Sequence, residues 1–212
     1  MTKRILLGGV LGGLVLFIWG ALSHMVFQLG VVGIQSLPTE EATLPALRGA
    51  VKQPGFYFFP GMDMAAIRAM PKEQADAATK QWTEKWKAGP RGVLVIHPEP
   101  TSAEPMTAGT LGRQLGVDVI AGLLVAFLMS QLSTTTRYSC RVGFSTAIGF
   151  LTGWIICVPY WNWYGFPGNF TMAQVADRTI GFALLGLAMA AIVNPSKKAQ
   201  PATATAAAAP SS

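Results

Sequence analysis

Four stretches almost without charge decide what this chain can fold into: Ile5 to Leu29, Val117 to Leu132, Val142 to Val158, and Thr179 to Val193. A helix needs roughly 20 mostly apolar residues to cross the hydrocarbon core of a bilayer. The first stretch reaches that length alone. The others reach it with polar, uncharged flanks such as 106–116 and 133–136. Charged residues make up 12% of the 212 and hydrophobic ones 51%, and a soluble domain carries about twice that charge. The sequence therefore predicts an all-α membrane protein with four transmembrane helices and a small extracytoplasmic α+β cap between the first and second.

The net charge of +6 looks at first like the signature of a nucleic-acid partner. Its placement excludes that reading. Lys3, Arg4, Arg137, Arg141, Lys197 and Lys198 lie at the N-terminus, between helices two and three, and after helix four. These places share one side of a four-helix chain and hold no acid. The remainder carries ten basic and ten acidic residues, 16 − 6 and 10 − 0. Lys and Arg gather in cytoplasmic loops, so both termini are expected in the cytoplasm of a bacterial inner membrane. A cleaved signal peptide competes for the N-terminus, with Lys3-Arg4, an apolar run and the small residues Ala21-Leu22-Ser23. The run is long for that and stays apolar past Ser23, which favours an uncleaved helix.

The expected divisions are helix one at 1–30, the cap at 31–105, and helices two to four at 106–194. An outer aromatic loop is expected at 159–178, and a disordered cytoplasmic tail at 195–212, where Lys197 and Lys198 can meet anionic headgroups. Within the cap, Thr39 precedes the acids Glu40 and Glu41 and predicts a helix to about Ala50. "GFYFFPG" (55–61) and "GVLVIHP" (92–98) read as strands. Between them a helix opens after Pro71 and stops at Gly89-Pro90, with Ala75, Ala78, Trp82 and Trp86 on one stripe.

Every spanning helix carries small residues four apart: Gly8 and Gly12 (also Gly9 and Gly13), Gly122 and Ala126, Gly149 and Gly153, Gly186 and Ala190. Such stripes let backbones approach closely where lipid gives little hydrophobic drive. They predict tight bundling, within the chain, with a second copy or with other membrane subunits.

Chemistry is harder to find. No phosphate loop, H-E-x-x-H, Cys-x-x-Cys or nucleophile elbow is present. Cys140 and Cys157 are 17 helical residues apart, about 25 Å, too far for a disulfide. Two histidines leave a transmembrane bis-His haem without its second ligand, so neither cofactor nor metal is expected. Polar groups do collect at the outer edge: Ser23, His24 and Gln28 at the end of helix one, Asp118 at the start of helix two, Asn162 after helix three, and Asp177 and Arg178 at the start of helix four. They read either as caps and interhelical hydrogen bonds or as a ligand or proton site. "PYWNWYGFP" (159–167) sets Tyr160, Trp161, Trp163, Tyr164 and Phe166 at the same level. It reads as an interfacial aromatic belt, or as a lid over the polar cluster.

The segments "WGALSHM" (19–25), "GFYFFPG" (55–61) and "WNWYGFP" (161–167) together resemble a group of uncharacterised bacterial four-helix integral membrane proteins. The resemblance implies an inner-membrane protein and no activity. The function expected from the sequence is a non-enzymatic accessory or assembly subunit of a larger membrane complex. The alternatives are a small transporter or carrier, and a membrane enzyme acting on a lipid or quinone with His24 as acid or base.

Overall fold

The structure is a computed structural model that describes residues 2–193; the tail expected at 195–212 lies outside them. The chain is mostly helical. Its elements are α1 (Thr2–Met25), a 3-10 turn (Leu29–Val31), α2 (Glu40–Ala50), β1 (Gly55–Phe59), α3 (Met64–Ala69), α4 (Lys72–Ala88), β2 (Gly92–Ile96), α5 (Ala108–Ser130), α6 (Tyr138–Tyr164) and α7 (Gly168–Met189). They form two compact units. One contains α1, α5, most of α6 and most of α7; the other contains residues 33–105 and 156–171.

Among the described residues three helices are long and apolar enough to cross a membrane: Lys3–Met25, Ala108–Ser130 and Tyr138–Tyr164. Their outward side chains are large and apolar, as in Leu7, Ile120 and Ile155. The stretch expected to form a fourth span folds as the 22-residue α7, which is not among the helices that qualify by length and apolarity. Its first half carries Gln174, Asp177 and Arg178, and it does not match the apolarity of the other three.

Two boundaries differ from expectation. Helix α5 begins at Ala108, because Thr107 caps it by accepting from the Thr110 N–H at 3.0 Å. The outer loop expected at 159–178 is almost all helix. α6 runs through Pro159 to Tyr164 and α7 starts at Gly168, leaving 165–167 as the connection. Pro159 removes one backbone donor but does not stop the helix, and Gly165, at φ 73°, takes the left-handed conformation that does.

The first unit is organised around α1 and α7. On one side of α1, Gly9 and Gly13 lie against the backbone of α5 at Leu123 and Val119, and Gly122 of α5 lies against Gly9 and Gly13 in return. On another side, Gly8 and Gly12 face Val193, Met189 and Leu185. Helix α7 in turn meets α6, with Gly149 against Phe182, Gly153 against Val175 and Gly186 against Ser145. The small-residue stripes are thus occupied within the chain. Their core is apolar: Val125, Ala126 and Met129 of α5 pack with Leu185, Met189, Ala190 and Val193.

The second unit holds a two-stranded antiparallel sheet with Phe56 opposite Val95 and Phe58 opposite Val93. The α4 stripe supports it. Phe58 stacks on Trp86 at 5.5 Å, and the Trp82 indole donates to the Pro60 carbonyl at 2.9 Å. Helix α3 is an addition to the expected cap, set by Asp63, whose carboxylate accepts from the Ala65 and Ala66 N–H groups. Thr39 precedes α2 as expected, but its hydroxyl donates to the Pro38 carbonyl and caps nothing.

Candidate functional site

The densest set of polar side chains in the first unit joins α1 to α7. Trp19 and Ser23 are one helical turn apart and so share a face of α1. That face meets α7 because Gly181 leaves room for the Trp19 ring, which a Cβ there would touch at 2.8 Å. The indole N–H then donates to Asp177 twice, to the carboxylate at 2.9 Å and to the main-chain carbonyl at 3.1 Å. The Ser23 hydroxyl donates to the same carboxylate oxygen and is fully buried. One turn toward the N-terminus of α7, Gln174 donates to the Gly30 carbonyl at 3.0 Å. The carboxylate is therefore held by two neutral donors, and both come from α1.

The other expected members do not join this set. The His24 ring is tied at Nδ1 to the Gly20 carbonyl of its own helix, 2.9 Å away. Gly30 packs against that ring, leaving no room for a side chain. Gln28 is exposed and left-handed, at φ 56°. The stem of Arg178 lies beside Gly153 of α6, away from the face that carries Asp177. Asn162 is exposed and belongs to the second unit.

Asp118 and Asp177 require a correction. Both were expected at helix starts, where an acid suits the dipole. With α5 beginning at Ala108 and α7 at Gly168, they lie ten and nine residues inside, about 15 Å and 13 Å along the helix axis. Neither caps a helix. Asp118 shares a stripe of α5 with Gly122, Val125 and Met129, and its carboxylate accepts from Gln114 of its own helix at 3.1 and 3.2 Å.

The aromatic stretch is divided. Tyr164 meets Phe56 and Phe58 of the sheet edge-on, at 5.8 and 6.3 Å. Tyr160 packs on Tyr164 and Phe166, and Phe166 on Phe170. Trp161 and Trp163 stay outside that cluster, with Trp163 70% exposed. Within the second unit the stretch is thus partly a ring cluster against the sheet and partly free indole surface. The polar cluster falls in the first unit.

Sequence reasoning named Ser23 and Asp177 but missed Trp19, Gln174 and Gly30. The signal for Trp19 was its one-turn spacing from Ser23. Gln174 and Gly30 gave none, since a backbone acceptor exposed by a 3-10 turn has no residue type. Among the described residues no three His, Cys, Asp or Glu side chains converge to hold a metal. A cavity of about 150 Å³ in the second unit, lined by Asp63, Gln81, Trp82 and Lys85 among others, is smaller than a usual ligand pocket of roughly 300 Å³ or more. Comparison with protein-family models, curated proteins and solved structures returns no match.

Proposed function

We propose that this chain is a non-enzymatic, multi-pass subunit of the bacterial inner membrane, an accessory or assembly component of a larger complex. In this reading α7 crosses the membrane as a fourth span, both termini are cytoplasmic, and residues 31–105 form the outer cap. The observation that carries it is the use of the polar side chains. Trp19, Ser23, Gln174 and Asp177 are spent on one another and on backbone across the α1–α7 contact, which is what a scaffold needs and what a turnover site avoids. A half-buried carboxylate in such helices is tolerated when its partners are fixed.

A carrier is the second reading, favoured by one observation. Asp118 lies midway along α5, is only half-buried and has a partner only on its own helix. A carboxylate so placed can bind and release a proton or cation during transport.

Native mass spectrometry after mild detergent extraction tests the choice. The subunit reading expects the chain within an assembly of fixed stoichiometry. A monomer that keeps one small molecule per chain overturns it in favour of a carrier or enzyme. Reporter fusions after Ser212 and near Ala103 test the topology: the first should be active inside the cell and the second outside. Both on one side would refute the four-span arrangement.

A further inference from the structure

We propose that the end of the first unit formed by the starts of α1 and α6 is a binding surface for the phosphodiester headgroups of acidic phospholipids. Val193 is where the two helix starts converge. Gly8 of α1 packs on its side chain, and Ile5 packs against the core cluster that contains it. From α6, Arg141 donates to the Val193 carbonyl at 3.1 Å. Tyr138, one turn earlier, fixes the same junction by donating to the Leu187 carbonyl at 2.8 Å.

These contacts bring Lys3 and Arg4, one turn before Gly8, to the same end as Arg137, one residue before α6. All three cations are exposed. Among the described residues no acid lies within 2–39 or 119–176, so no carboxylate from α1, α6 or the α5–α6 connection can neutralise them. An anionic bilayer surface supplies such counter-charge through its headgroups, each cation contributing about a fivefold gain in binding to it. The surface beside the cations suits the rest of a lipid. Leu6, Leu7 and Leu187 are large, apolar and exposed, and offer acyl chains a wall directly next to the phosphate sites. A soluble phosphate compound would use the cations and leave that wall bare, which favours the lipid.

The inference rests on the membrane placement proposed above, and membrane fractionation checks that placement separately. The test uses the full-length chain reconstituted in nanodiscs of phosphatidylcholine with or without phosphatidylglycerol, then released for native mass spectrometry. The wild type should retain phosphatidylglycerol in preference to phosphatidylcholine. The combined Lys3→Gln, Arg4→Gln and Arg137→Gln variant should lose that preference by at least tenfold. A control with Lys72→Gln and Lys80→Gln on α4 removes charge from the second unit and should leave it unchanged. Millimolar inorganic phosphate should not displace the lipid. A membrane-inserted wild type without preference, a triple variant that keeps it, or displacement by free phosphate would each overturn the proposal.

Discussion

Replacing Gly9 by Ala tests whether the α1–α5 contact is a backbone-on-backbone contact. A Cβ at Gly9 would stand 2.7 Å from Leu123 Cα and 3.0 Å from Leu123 N. Carbon atoms settle at roughly 3.5–4.0 Å, and both are backbone atoms rather than the end of a flexible side chain that could swing away. The two helices must therefore part by about 1 Å, a gap that forfeits a quarter to a half of the dispersion well of each pair across it. Gly13 and Gly122 lie on the same contact, so the loss spreads along it. Overpacking of this kind costs about 1–3 kcal/mol, and we expect about 2 kcal/mol here. Helix propensity works in the opposite direction, since Ala is better than Gly by up to about 1 kcal/mol in water. Gly116→Ala isolates that opposing effect, because nothing lies within 4 Å of a Cβ there. Unfolding of both variants in mixed detergent and SDS micelles, followed by circular dichroism, reads the difference. Gly9→Ala should unfold at a lower SDS fraction than the wild type, and Gly116→Ala at the same or a higher one. Equal midpoints for Gly9→Ala and the wild type, or equal losses for the two variants, would refute the close contact.

Asp177→Ala leaves the buried Ser23 hydroxyl without its acceptor and the Trp19 indole with the main-chain carbonyl alone, at a cost of about 1–3 kcal/mol; Asp177→Asn keeps one oxygen and should lose less in the same SDS titration. In the second unit, Tyr164→Ala removes the ring beneath Phe56 and Phe58 and should expose residues 55–59 to limited proteolysis, whereas Trp163→Phe should leave the cleavage pattern unchanged. A Trp163→Phe variant as sensitive as Tyr164→Ala would contradict the division of the aromatic stretch.

Much of the architecture was legible because lipid solvation imposes strong rules on composition. Charge-free runs located α1, α5 and α6, and Gly-Pro punctuation bounded α4 within a residue. What failed was the placement of acids. Asp118 and Asp177 looked like helix starts because hydropathy drops around them, yet Thr107 caps α5 eleven residues before Asp118 and the polar first half of α7 stays helical. A carboxylate does not break a helix; it only changes what the helix must meet. The polar cluster was half legible for the same reason. Residue types named Ser23 and Asp177, but their pairing depends on Gly181 leaving room for the Trp19 ring, and no local pattern records an absence required by a neighbour 162 positions away in sequence.

The Trp19–Asp177 bond also sets a schedule for synthesis. Its two ends are separated by 158 residues, so at roughly 5–20 residues per second the first helix is made about 8–32 seconds before its carboxylate partner. Throughout that interval α1 has an indole N–H and a serine hydroxyl without their final acceptor, and its Gly8–Gly12 face stays open, because only the Gly9–Gly13 face is covered earlier, by α5. The hydroxyl can turn meanwhile to a carbonyl one turn back on its own helix, but the Gly8–Gly12 face has no such stopgap. Of the described helices, α1 is thus made earliest and waits longest for its partner, α7.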